Sequence, residues 1–201
     1  MKRKDILTKQ CGAEARKRLL LHCCCAPCAS YVLELLVPQY ECTSFFYNPN
    51  IEPKEEHDKR KSELEKLLTR NTLLKEVVVY PFITEYENER FRNTILSISD
   101  EEEGGVRCML CFDLRLRRAA VLVVDGEYDV FATTLTVSPH KKAHVINEIG
   151  IRLADEYNIE YLISDYKKRG GYNRSVELAK KYDLYRQDYC GCQPLKCNAN
   201  A

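Results

Sequence analysis

Arg18-Leu19-Leu20-Leu21-His22-Cys23-Cys24-Cys25-Ala26-Pro27-Cys28 joins an apolar run of strand length, Arg18 to Cys24, to a turn and then to the apolar segment Ala29 to Val37. A short apolar run passing through a turn into a longer apolar segment is how a strand feeds a helix. The same alternation continues downstream. Glu41 to Tyr47 is rich in aromatic and branched residues and closes in Asn48-Pro49-Asn50, which is turn chemistry. Glu55 to Arg70 carries Leu64, Leu67 and Leu68 at helical spacing, and Glu76 to Tyr80 is a valine-rich strand stopped by Pro81.

A helix is predicted over Tyr86 to Leu96, and a second from Arg107 to Asp125-Gly126 after an acidic loop, Asp100 to Gly105. Tyr128 to Leu135 reads as a fourth strand. Ser138-Pro139 opens a helix through Tyr157, with Val145, Ile149 and Leu153 on one side. Ile159 to Ile163 is the fifth strand and Arg174 to Tyr182 the last helix. Parallel strands need a crossover, usually a helix, so the alternation predicts an α/β fold. The expectation is a three-layer, doubly wound, mainly parallel sheet. No repeat or low-complexity linker interrupts it, so residues 1–201 read as one domain. Such sheets bind ligands outside the carboxyl ends of their strands, near the point where the strand order reverses.

At that point a dinucleotide-binding protein places a glycine-rich loop, and this chain places thiols. It has 11 cysteines. One group, Cys24, Cys25 and Cys28, follows the first strand; Cys108 and Cys111 open a helix; Cys190-Gly191-Cys192 lies in the tail. A helix N-terminus favours thiolate, the form that binds metal. Cysteine pairs with remote partners suit an iron–sulfur cluster, and equally a four-cysteine zinc site. Cys25 and Cys28 alone would suit a thioredoxin-like dithiol. A single cluster takes four ligands, so seven grouped cysteines leave three for a second metal or a thiol pair. Cys42 reads as a small core residue, Cys11 and Cys197 as incidental, and Cys23 as turned to the other face of the strand. His22 reads as a hydrogen-bonded residue at a strand end.

The remaining composition narrows the classes. The chain lacks a Walker loop, a G-x-G-x-x-G turn, a His-Glu-x-x-His pair and a nucleophile elbow. Its N-terminal residues are charged, without the apolar core of a secretory signal, and no apolar stretch is long enough to span a bilayer. A cytoplasmic location is expected, and cysteines kept reduced there argue for metal or redox chemistry over disulfides. The net charge of +1 gives no global nucleic-acid signature, although local basic runs surround Arg60, Arg115, Lys141 and Arg169.

With these motifs in hand, the chain resembles the QueH-type epoxyqueuosine reductases. The likeness runs through Leu20 to Cys28, Tyr47-Asn48-Pro49-Asn50-Ile51, Cys108 to Cys111 with Arg115, and Thr133-Thr134-Leu135 with Ser138-Pro139. It ends in Gly170 to Ser175 and Tyr185 to Cys192, covering residues 18–192. The resemblance implies a fold of the adenine-nucleotide alpha-hydrolase (HUP) type, with the cysteine motif replacing the phosphate loop. It implies a cytoplasmic enzyme that reduces epoxyqueuosine to queuosine in the anticodon loop of tRNA, using an external electron donor. It also implies a 4Fe–4S cluster, beside which the surplus cysteines leave room for a second, mononuclear iron or other metal, or for a redox-active thiol pair. The family cysteines carry over onto Cys24, Cys25, Cys28, Cys108, Cys111, Cys190 and Cys192, with the cysteine tail closing the site. Tyr47 and Asp165 follow predicted strands and are candidate proton donors. Arg60, Arg115, Arg169 and Arg174 are candidates for phosphate contacts, and Tyr172 and Tyr189 for stacking on a splayed base. The competing readings are a zinc-stabilised RNA-binding module and a thiol–disulfide oxidoreductase.

Overall fold

The computed structural model describes residues 15–71, 74–79, 86–98, 101–126 and 128–192. Among the described residues, five strands and six α-helices follow one another as β1 (Arg18–His22), α1 (Ala26–Leu36), β2 (Glu41–Phe45), α2 (Lys54–Arg70), β3 (Val78–Val79), α3 (Asn88–Ile95), α4 (Val106–Asp125), β4 (Val130–Thr133), α5 (Ala143–Tyr157), β5 (Glu160–Tyr161) and α6 (Gly171–Lys181). The sheet order is β3-β2-β1-β4-β5, and all four pairings are parallel. The chain winds outward from β1 in one direction through β2 and β3, then returns to its other side for β4 and β5. The expected three-layer, doubly wound sheet is the one found.

Successive side chains of a strand point to opposite faces, and the leucine run of β1 shows why the layers form. Leu19 and Leu21 pack with Val32 and Leu33 of α1, Leu64 and Leu67 of α2, and Ala179 of α6. Leu20 turns the other way, joining Phe131 of β4, Leu116 and Ala120 of α4, and Ile146 and Leu153 of α5. Burying each such leucine contributes about 1.5–3 kcal/mol. A strand that is apolar on both faces belongs in the middle of the sheet, and β1 is there.

Several boundaries differ from the sequence reading. β1 ends at His22, not Cys24, because Cys25 becomes the N-cap of α1 and Pro27 sits in the first turn, where its missing N–H costs nothing. The helix therefore begins at Ala26, ahead of Ala29. Ser138-Pro139 does not open α5. The Thr133 hydroxyl accepts the Leu135 N–H and turns the chain into a short 3-10 segment, Thr134–Val137, while Ser138 is held extended before the proline. The fourth strand is shortened accordingly, and α5 starts at Ala143. β5 has two residues, and β3 lies exposed at the edge; Tyr80 lies outside the described residues. α6 begins earlier than Arg174, at Gly171, where a side-chain carbon would lie 1.9 Å from the Tyr166 carbonyl oxygen. No helix among the described residues is long and apolar enough to cross a membrane.

Candidate metal centre

The winding reverses between β1 and β4, so the loops leaving their carboxyl ends face one another across a crevice. Two hydrogen bonds close it. The Cys24 N–H donates to Thr134 Oγ1 at 3.0 Å, and that hydroxyl donates to Cys24 Sγ at 3.2 Å. The α1 cap and first turn then bring Cys25 and Cys28 alongside, and the sulfurs of Cys24, Cys25 and Cys28 all lie within 4.8 Å of one another.

Cys108 and Cys111 are three residues apart on the first turns of α4, and so share a face. The Gly104 N–H donates to Cys108 Sγ at 3.1 Å, and Arg115, one turn beyond Cys111, reaches its sulfur at 3.9 Å. The tail completes the ring. Arg60 of α2 donates to the carbonyl oxygens of Cys190 and Tyr189, and the Glu52 N–H donates to the Gly191 carbonyl at 2.9 Å. Gly191 has φ of +101°, a conformation that suits glycine, and its neighbours Cys190 and Cys192 face the same space. All seven grouped cysteines line one cavity of about 640 Å³.

Charge in the cavity is set by the sulfurs and a few buried cations. Hydrogen bonds from Cys25 and Cys28 hold the Cys24 thiol well below its ordinary range. Cys25 is correspondingly pushed up to about 12 by its bond to Cys24, and Cys28 is raised by its bonds to both. Burial pushes Cys111 up to about 11 and Cys192 up to about 12. Burial opposes the charge on Lys141, but Cys190, Cys24 and Cys28 outweigh it and its ammonium is stabilised. Arg115 is 2% exposed and, among the described residues, pairs with no carboxylate; its guanidinium donates to Asn48 Oδ1 and to Cys111. A buried cation without a counter-ion costs several kcal/mol, and anionic thiolates bound to metal would supply that counter-charge. Soft donors, cations to balance them and an open cavity together fit a thiolate-bound metal centre.

A sequence model of the family described as Epoxyqueuosine reductase QueH matches residues 19–194. The chain belongs to the QueH family. QueH relatives named epoxyqueuosine reductase include those of Streptococcus pyogenes serotype M1, 40% identical over 177 residues, or 88% of this chain and 69% of the relative. The protein of Staphylococcus epidermidis is 40% identical over 179 residues, covering 88% of this chain and 75% of the relative. The Thermotoga maritima protein is 33% identical over 177 residues, covering 87% and 88% respectively. Membership of the QueH family makes the chain an oxidoreductase.

Other residues singled out in the sequence fall into two sets in this QueH-family structure. Arg60, Arg115, Tyr172 and Tyr189 line the cavity with the cysteines. Tyr47, Asp165, Arg169 and Arg174 are not among its lining residues. The Tyr47 hydroxyl donates to Glu87 at 2.9 Å, and Asp165 pairs with Lys167 and Lys168. Arg174 is held by Glu34 and Glu177 on the outer side of α6. His22 is a satisfied core histidine. Its Nε2 donates to the Tyr47 carbonyl, its Nδ1 accepts from Thr133, and burial, with Arg115 nearby, lowers it to about 3. Cys23 points into the core on the α1 face, where Ser44 donates to its sulfur, and Cys42 is a core residue too. Cys11 and Cys197 lie outside the described residues.

Sequence reasoning missed Thr134, Lys141 and Asn50 as individual site residues. Asn50 is 1% exposed and lines the cavity, and among the described residues no donor reaches its Oδ1. The only sequence signal for Asn50 and Thr134 is that each lies within a stretch carrying the family resemblance.

Proposed function

We propose that this chain reduces the epoxide of epoxyqueuosine in the anticodon loop of tRNA to the alkene of queuosine, at a metal centre held by the cavity cysteines. The observation that carries the reading is the convergence of seven thiols, from three remote segments, on one cavity at the reversal of the sheet order. The reaction consumes two electrons and two protons and releases the epoxide oxygen as water, so an external donor must supply the electrons. The ligands come from Cys24, Cys25, Cys28, Cys108, Cys111, Cys190 and Cys192. Four of them would hold a 4Fe–4S cluster, which would supply single electrons, and the remainder would hold a second metal, which would supply Lewis acidity.

The chain's own groups divide the rest of the work. Lys141 brings an ammonium proton to the cavity, and Arg115 balances the charge of the sulfurs. Asn50 presents a buried acceptor to a hydroxyl or ring N–H of the substrate. Tyr189, 41% exposed at the rim, and Tyr172 offer ring faces to a base drawn out of its stack. The tail carrying Cys190 and Cys192 forms one wall of the cavity, which supports its role in closing the site. The sheet order supports kinship with the adenine-nucleotide alpha-hydrolase type.

Both competing readings fit the geometry less well. A structural zinc site is closed by four ligands and leaves three of the seven cavity cysteines without a role. A thioredoxin-like pair needs an attacking thiolate, and hydrogen bonding with Cys24 raises the thiols of both Cys25 and Cys28. The test is anaerobic purification with iron and sulfide analysis, followed by incubation of the reduced protein with tRNA carrying epoxyqueuosine. Conversion to queuosine is expected. An iron-replete, reduced protein that leaves the nucleoside unchanged refutes the function, and stoichiometric zinc without iron refutes the centre.

A further inference from the structure

Arg60 is a cavity residue whose guanidinium is already committed. It lies within α2, 3% exposed, and its three nitrogens all have partners. Nε donates to Glu56 Oε1, one turn earlier, at 2.6 Å. Nη1 donates to the Cys190 carbonyl at 3.0 Å and Nη2 to the Tyr189 carbonyl at 3.3 Å, while the plane lies 4.9 Å from the centre of the Tyr189 ring. The contact is tight. A side-chain carbon on Gly191 would come within 3.2 Å of Arg60 Nη1.

The segment that Arg60 grips has no helix or strand of its own between Leu184 and Cys192. Its path is imposed from α2. The Tyr185 N–H donates to Glu63 at 2.9 Å, the Tyr185 hydroxyl to Glu56 at 3.2 Å, and Lys66 reaches the Asp183 carbonyl at 3.3 Å. These bonds fix the approach of the tail, and Arg60 fixes the two residues next to the sulfurs. Only a rigid planar fork can hold two consecutive carbonyls and a carboxylate at once, which a lysine ammonium on a flexible stem does not reproduce.

We propose that Arg60 is a positioning residue for the tail sulfurs: by clamping the Tyr189 and Cys190 carbonyls to α2 it holds Cys190 and Cys192 in the cavity. It is not a contact for RNA phosphate. The clamp deepens the proposed function and rests on it for its consequence, because only a metal centre needs those two sulfurs fixed. The clamp itself is testable without metal.

The experiment is site-resolved alkylation of the metal-free chain by iodoacetamide, read by mass spectrometry, in wild type and Arg60→Lys. Cys190 and Cys192 are expected to react about tenfold faster in the variant, equivalent to about 1.4 kcal/mol of lost tail docking. Cys24, Cys25, Cys28, Cys108 and Cys111 should keep their rates. Unchanged rates at all seven, or a uniform rise at all seven, overturn the proposal. After anaerobic iron loading, Arg60→Lys should change the visible absorption and lower kcat. A raised KM with an unchanged spectrum would instead make Arg60 an RNA contact and overturn the clamp. Should Arg60→Lys fail to fold, Glu56→Ala decides the matter, since it removes the acceptor of Nε but keeps the guanidinium. The same two cysteines must then react faster, and equal rates overturn the idea. A wild-type chain that binds no iron defeats the proposed function and leaves the alkylation result to judge the clamp alone.

Discussion

Thr134→Val replaces the hydroxyl that ties β4 to the loop after β1 with a methyl of nearly the same size. Two interactions disappear together: the acceptor of the Cys24 N–H at 3.0 Å and the donor to Cys24 Sγ at 3.2 Å. The side chain is fully buried, so water does not replace either bond. Leaving a buried N–H without an acceptor costs about 1–3 kcal/mol, and losing the donor to the Cys24 sulfur adds to it, so a loss of about 2 kcal/mol is expected. For a chain of this length that corresponds to a fall of about 4–8 °C in melting temperature. A second readout follows from charge. Cys24 lies well below its ordinary range because donors surround it, so removing one shifts its alkylation midpoint in the metal-free chain to higher pH. Thr134→Ser keeps the hydroxyl and should restore both values. Calorimetry and pH-dependent iodoacetamide labelling measure them. If Thr134→Val melts and reacts as Thr134→Ser does, the hydroxyl does not hold Cys24 and this account of the crevice is wrong.

Cys108→Ala should abolish or change the absorption of the iron-loaded centre, and an unchanged spectrum removes Cys108 from the ligands. Asn50→Leu removes a buried acceptor that no donor among the described residues satisfies, so stability should hold or rise while KM for the modified tRNA increases about tenfold, equivalent to about 1.4 kcal/mol. A variant with unchanged KM shows that the substrate does not use this carboxamide. His57 packs against Phe46 and Tyr86, and burial lowers it from 6.5. The unfolded chain therefore takes up this proton first. Its contribution to stability is complete above pH 6.5 and is lost as pH falls through the lowered folded value. Urea titrations across that window should show a slope that His57→Gln reduces; identical slopes refute the assignment.

Much of the fold was legible because its cause is local. Three leucines in a row at Leu19, Leu20 and Leu21 demand burial on both faces, and that alone places the strand centrally. The cysteine groups were legible for a related reason: thiols gathered at strand and helix ends have few structural uses in a chain large enough to fold without them. Directions were harder to read. Being at the end of a strand locates Tyr47 and Asp165 along the sheet, but the hydrogen bond to Glu87 and the lysine pairs decide where their polar atoms point. Arg60 announces a charge in the sequence, and Glu56 one turn earlier is a partner that helical spacing suggests, yet its other partners are a pair of backbone carbonyls more than a hundred residues away, which no residue type advertises. Ser138-Pro139 resembled a helix start, and only the Thr133 hydroxyl taking the Leu135 N–H shows the intervening turn.

The central position of β1 has a consequence for biogenesis. Its loop offers the sulfur triad from the earliest part of the sheet, but the residues that lock it come late. His22 and Thr133 meet across 111 positions of chain, and Arg60 waits 130 positions for the Cys190 carbonyl. A nascent chain emerging from the ribosome thus displays thiols long before it can enclose them. On the proposed reading, loading of a metal on all three segments would have to follow the end of folding, and a product interrupted before position 190 would retain the triad without the wall that shelters it.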